Sequence, residues 1–217
     1  IQHKLDDRLK VIAEFWADGP DSTSPPGHWH EIAVRMAEQR NLPLQDVISL
    51  LFLQANAVMD GGIACWEAKK YYLSIRPITA IQCLFAGQVE KVWLGPYRGI
   101  GLRNLSTWQP YQADTVLTPA FSEYVSGHST FSAASAEVLS SFLGSDEYGG
   151  TFVVPAGSSR FEPKIDDPTD RRYRAGLTNV ANTGPESVGY TPAKDVKLEW
   201  ATFTDAALEA GISRLYG

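Results

Sequence analysis

The apolar positions of this chain recur mostly at helical spacing. From Lys4 to Ala17, Leu5, Leu9, Ile12, Ala13 and Trp16 share one side with charges opposite, and the breakers Asp18-Gly19-Pro20 end the predicted helix. After a Ser/Thr/Pro-rich loop through Gly27, a second helix is expected from about Trp29 to Gln39, with Ile32, Ala33, Met36 and Ala37 inward. Pro43 suits the opening of a third. From Leu44 to Met59 the run is so continuously apolar that a central, buried helix is expected. Asp60-Gly61-Gly62 reads as an interruption or as the start of a fourth helix carrying Ile63, Ala64, Trp66, Tyr71, Tyr72 and Ile75. Pro77 then leads into a helical piece over Ile78 to Phe85.

From Gly87 to Phe121 the helical period fades under Gly95-Pro96, Gly99, Gly101 and Pro110, and Trp93, Tyr97, Trp108 and Tyr111 suggest an aromatic loop layer. Residues 129 to 143 resume a helix. A loop-rich insertion at about 144–197 follows, with one strand expected at Thr151 to Val154, and reads as an active-site lid or an interface loop. Leu198 to Leu215 is amphipathic, with Trp200, Phe203, Ala206, Ala207 and Ala210 on one side. The pattern predicts a single all-α domain over residues 1–217, a helical bundle with long connecting loops.

Composition narrows the function classes. The 217 residues are 44% hydrophobic and 20% charged, ordinary globular values, and the net charge of -6 argues against a nucleic-acid partner. No window of about 18 apolar residues is read in the sequence, so no membrane span is expected. The sequence begins at Ile1 rather than Met, which is compatible with a leader removed before it and a periplasmic or secreted location; the compartment itself is not legible. Cys65 and Cys83 have neither metal-ligand spacing nor a disulfide framework and read as buried thiols. His28 and His30, two apart at a helix start, point away from each other and read as surface or loop-packing residues.

Candidate chemistry centres on Val125-Ser126-Gly127-His128-Ser129, where a turn-rich loop runs into a small-residue helix. The unpaired amides and dipole of a helix start favour an anion, and a Ser hydroxyl and an imidazole stand at the same place. Lys69 and Arg76 lie seven apart, so both project from one helix face, and Arg214 falls near the end of the last helix. Antiparallel packing could bring all three cations to the loop, where they would hold a tetrahedral or trigonal oxyanion by charge-assisted hydrogen bonds.

The order Lys69, six residues, Arg76-Pro77, then Ser126-Gly127-His128, then Ser213-Arg214 resembles the vanadium-dependent haloperoxidases and the related type-2 phosphatidic acid phosphatase superfamily. Ala13-Glu14-Phe15-Trp16-Ala17-Asp18-Gly19-Pro20, Pro25-Pro26-Gly27-His28-Trp29 and Asp60-Gly61-Gly62-Ile63-Ala64-Cys65-Trp66-Glu67-Ala68-Lys69 are similar to bacterial haloperoxidase-type sequences. The resemblance implies vanadate as cofactor, with phosphate or sulfate able to occupy the same site, and hydrogen peroxide, a halide and an organic acceptor as reactants. It implies that Lys69, Arg76 and Arg214 neutralise the anion, that Ser126 and the Gly127 N–H donate to it, and that His128 is the acid–base residue. Phe121 takes a position that is aromatic in chloroperoxidase-like members, and a homodimer is compatible with the family.

Two positions depart from the family pattern. Val125 stands where the family has Pro. The family's vanadium-bonded histidine, or the phosphatase nucleophile, lies six residues after the Arg of Ser-Arg; from Arg214 that is 214 + 6, position 220, beyond Gly217. The expectation is that the protein continues past Gly217. The leading reading is a haloperoxidase-like enzyme; the alternatives are an acid phosphatase using the same pocket and a catalytically silent anion-binding fragment.

Overall fold

The computed structural model describes residues 2–19, 22–112, 118–184 and 186–216; Ile1, Pro20 of the expected helix stop and Gly217 lie outside them. Seven α-helices and two two-stranded sheets follow in chain order among the described residues: α1 Asp7–Phe15, α2 Ser24–Gln39, α3 Leu44–Tyr72, α4 Pro77–Leu84, β1 Val89–Trp93, β2 Ile100–Asn104, α5 Gly127–Leu143, β3 Thr151–Val154, α6 Arg171–Arg174, β4 Val196–Glu199 and α7 Phe203–Ser213. β1 pairs antiparallel with β2, and β3 with β4. The architecture is a helical bundle whose small sheets are accessories.

The helix α5 is shared by the rest of the bundle, packing against α2, α3 and α7. Glycines permit that closeness. A Cβ on Gly61 would stand 3.3 Å from Thr130 Cγ2, one on Gly62 3.1 Å from Phe131 Cε1, and one on Gly211 2.7 Å from Ser129 Oγ. Asp60-Gly61-Gly62 therefore neither interrupts nor starts a helix; it lies inside the 29-residue α3, where small side chains let α5 approach. The main core joins Ile12, Trp16, Trp29, Ile32, Met36 and Leu50 to Leu139, Tyr148, Leu198, Trp200 and Phe203. Trp29 Nε1 donates to Ser132 Oγ at 2.8 Å, and Gln54 Nε2 donates to the Trp29 carbonyl at 2.9 Å, tying α2 to both neighbours.

Three expectations are corrected. α3 is not a buried helix: only Leu50, Gln54, Val58, Cys65 and Lys69 are buried along it. Leu44, Ile48, Phe52, Met59 and Ile63 form an exposed stripe, Leu44 at 74% and Phe52 at 67%. Continuous apolarity marks no preferred face, and here α2 and α5 cover only one. The same helix overturns the reading that no apolar window exists, since Leu44–Leu84 holds a helical window of mean hydropathy 1.5, long and apolar enough by composition to cross a membrane. Finally, α2 begins at Ser24 with prolines in its first turn, and residues 196–199 are strand before α7 starts at a Thr202–Asp205 capping box.

The insertion is a folded layer against α1. Lys10 and Glu162, both buried, pair at 2.6 Å. Glu162 also accepts from Trp93 Nε1 at 3.2 Å, the Tyr97 N–H at 3.0 Å and Thr191 Oγ1 at 2.9 Å. Glu14 accepts from Tyr111 Oη at 2.6 Å, Ser159 Oγ at 2.5 Å and the Arg160 N–H at 2.6 Å. Burial pushes the Glu14 carboxyl up, against those hydrogen bonds, and the nearby Glu162 charge adds to the rise. Two buried carboxylates are tolerated because Glu162 is paired with Lys10 and both accept several hydrogen bonds.

Removing one member of such a pair leaves an uncompensated buried charge. Lys10→Met should destabilise the protein by about 3–5 kcal/mol in denaturant unfolding. The double variant Lys10→Met/Glu162→Gln should recover part of that loss; a double variant worse than the single one would contradict the pairing.

Candidate oxyanion site at the start of α5

Ser126 is the N-cap of α5, and its Oγ accepts from the Ser129 N–H at 3.2 Å. That bond leaves the Ser126 O–H free to donate. The N–H groups of Gly127 and His128 fall in the first turn, where no helical acceptor exists. Trp66 covers this turn: a Cβ on Gly127 would stand 3.4 Å from Trp66 Cη2. The sequence places a capped helix start with open amides here, and the structure has one.

The candidate side chains form two groups around that start. On the α3 side, Lys69 Nζ donates to the carbonyls of Ser122 and Glu123 at 2.8 and 2.9 Å, and Arg76 Nε donates to that of Phe121 at 2.7 Å. Phe121 lies under both cations, 5.2 Å from Lys69 Nζ and 4.7 Å from Arg76 Cζ, and against Trp66 at 5.2 Å. Cys65 Sγ reaches the Val125 carbonyl at 3.8 Å, so α3 holds residues 122 to 125 and Arg76, the N-cap of α4, holds Phe121. α3 ends at Tyr72, so Lys69 and Arg76 do not share the one helix face that their spacing predicts. Cys65 is buried as expected, whereas Cys83 is exposed. Thr118–Ser122 with Leu73, Ser74, Arg76, Ile78 and Thr79 line an open cleft of about 430 Å³ beside Arg76.

On the α7 side, His128 donates Nε2–H to the Trp16 carbonyl at 2.7 Å; a carbonyl can only accept, which fixes the tautomer and leaves Nδ1 with its lone pair. Arg214 Nη2 donates to the Ala13 carbonyl at 2.6 Å and its Nε to Ser213 Oγ at 3.1 Å. The close approach of Gly211 to Ser129 brings α7, whose C-cap is Arg214, against the first turn of α5 that carries His128. Burial lowers the His128 pKa to about 4, and the Arg214 charge adds to that fall. Burial also lowers Arg214 to about 10, where it stays protonated at neutral pH.

The charge balance is the informative feature. Lys69 is 4% exposed and Arg76 and Arg214 are partly buried, and burial depresses all three pKa values. Among the described residues, none of them has a carboxylate within 4.0 Å. Desolvated cations without counter-ions, next to open amides, gain most from an anion. Lys69 keeps one N–H uncommitted and Arg76 its two terminal nitrogens. This donor set suits the oxygens of vanadate, phosphate or sulfate. No described group of three or more His, Cys, Asp or Glu could hold a metal cation.

Sequence patterning missed two contributors. The carbonyls of Ala13 and Trp16 are backbone acceptors and carry no residue signature. Asp18 raises the pKa of both His128 and Arg214 by its charge. It stood within the Ala13–Pro20 segment, where it was read only as a helix breaker.

The bundle and its α5 start define a helical protein of the vanadium haloperoxidase type. Residues 49–217 match the family described as the VCPO second helical-bundle domain, and the chain belongs to that family. It is similar to the crystal structure of a holo-type bacterial vanadium-dependent chloroperoxidase, at 23% identity and a TM-score of 0.75 over 100% of this chain and 39% of that one. It is likewise similar to the apo-type structure, at 23% identity and a TM-score of 0.77 over 99% of this chain and 40% of that one. The chain thus spans about two-fifths of the length of these solved relatives. No curated protein matches it.

His128 makes a pH prediction. Its folded pKa of about 4 lies below the ordinary 6.5, so the unfolded state takes up the proton first as pH falls. Stability from this residue is complete above pH 6.5 and is lost between 6.5 and 4, by at most about 3 kcal/mol. His128→Gln should flatten the stability–pH curve across that window; an unchanged slope in denaturant titrations would contradict the assigned burial.

Proposed function

We propose that this chain forms the vanadate-binding bundle of a haloperoxidase that oxidises halide with hydrogen peroxide. The observation that carries the reading is that Lys69, Arg76 and Arg214 are all desolvated and, among the described residues, without a carboxylate within 4.0 Å, while Lys69 and Arg76 hold the loop that enters the capped start of α5. The family membership supports vanadate as the cofactor. Bound vanadate supplies the site at which peroxide is activated toward halide.

The chain's own residues have distinct parts. Lys69, Arg76 and Arg214 hold the oxyanion and draw electron density from whatever oxygen develops charge. The Ser126 hydroxyl and the Gly127 N–H donate to the same oxygens. His128, neutral at working pH, accepts a proton at Nδ1 while Nε2–H stays on the Trp16 carbonyl. A bound oxyanion raises the His128 pKa toward neutrality, because a negative charge favours the imidazolium. That brings the residue to where it both accepts and returns a proton. Phe121 and the cleft beside Arg76 offer an approach for halide and the organic acceptor.

The full-length protein, loaded with orthovanadate and given peroxide and bromide, should brominate a phenolic dye. His128→Ala should lower kcat by about 10²–10⁴-fold with orthovanadate still bound. Hydrolysis of a phosphomonoester, inhibited by vanadate and without bromination, would replace this reading by the phosphatase one.

A further inference from the structure

The segment between α1 and α2 carries a second polar pair that the site description leaves without a task. His28 Nδ1 lies 2.9 Å from Asp18 Oδ1, with side-chain exposures of only 12% and 7%. A carboxylate accepts, so the ring nitrogen carries the proton. The His28 ring is wedged between Phe15, at 4.8 Å and 64°, and Trp16, at 4.9 Å and 30°. Asp18 sits at φ 46°, in the left-handed region that non-glycine residues rarely adopt. The sequence pattern read His28 as a packing residue, but a packing ring needs no buried carboxylate opposite its nitrogen.

Asp18 lies two residues after Trp16, whose carbonyl accepts from His128 Nε2 at 2.7 Å. Its charge acts on His128 from α5 and on Arg214 from α7, and His28 from α2 is the other titratable group in that set. It stands beyond ion-pair distance of Arg214, so its effect depends on where the carboxylate is held. We infer that His28 is a positioning residue of the oxyanion site: by donating Nδ1–H to Asp18 it fixes a carboxylate whose charge reaches Arg214 and His128 without pairing with either. The inference rests on the proposed function only for the importance of those two residues; the contact and its electrostatic effect stand apart from any cofactor.

Two substitutions separate the hydrogen bond from the ring. His28→Phe keeps the aromatic body between Phe15 and Trp16 and removes the donor. His28→Asn discards the ring and keeps an amide N–H near the place of Nδ1. The readout is the His128 imidazole titration, followed by ¹⁵N NMR on the full-length protein with and without saturating inorganic phosphate. His28→Phe should make His128 harder to protonate by at least about threefold, the loss expected when a nearby carboxylate drifts away. His28→Asn should stay within about twofold of wild type. Asp18→Asn, which keeps the acceptor and removes the charge, should shift His128 the same way as His28→Phe and serves if that variant does not fold.

A His28→Phe or Asp18→Asn protein with wild-type His128 behaviour would overturn the inference, as would His28→Asn shifting as far as His28→Phe. Failure of phosphate to alter the wild-type His128 titration would instead count against the oxyanion reading, leaving the phosphate-free comparison to decide the role of His28.

Discussion

The structure depends on a buried charge pair far from the helix start where the chemistry is proposed. Lys10 and Glu162 lock α1 to the 155–192 layer, and the Glu14 carboxylate adds a second anchor through Tyr111, Ser159 and Arg160. With α1 fixed, its last turn and C-cap are fixed as well, and these supply the carbonyls of Ala13 and Trp16. Those carbonyls hold Arg214 and His128. Without the buried pair, two members of the site would lose the backbone that orients them. Such a pair contributes little net stability by itself, since desolvation offsets most of its attraction. Its effect is to specify one arrangement.

The other half of the site is built by α3. Its inward stripe ends in Lys69, and the strap from Cys65, Lys69 and Arg76 onto residues 121 to 125 sets the path by which the chain enters α5. The helix start is therefore gripped from two sides, by α3 through the loop and by α1 and α7 through His128 and Arg214. The cations on both sides are desolvated by the packing that positions them, and this is what supports the proposed anion site over an ordinary cap.

Much of this was legible in the sequence. The Lys69–Arg76 spacing, the Ser126 cap and the terminal Arg214 were visible as residue types at fixed intervals, and the helical bundle followed from periodicity. What stayed hidden was of three kinds. Backbone acceptors such as Trp16 and Ala13 leave no mark in residue identity. The exposed face of α3 was hidden because an almost uniformly apolar helix has no polar stripe to say which side is covered; Leu44, Ile48 and Phe52 read the same as Leu50 and Val58. The pairs Glu14–Tyr111 and Lys10–Glu162 join residues 97 and 152 positions apart, beyond any local pattern.

The central claim is that the uncompensated cations at the α5 start bind an oxyanion. Calorimetric titration of the full-length protein with orthovanadate tests it most directly. The account predicts saturable binding of one equivalent, weakened by salt and by at least tenfold in Lys69→Met and in Arg214→Met. Absence of saturable binding at millimolar orthovanadate, or binding indifferent to both substitutions, would contradict it.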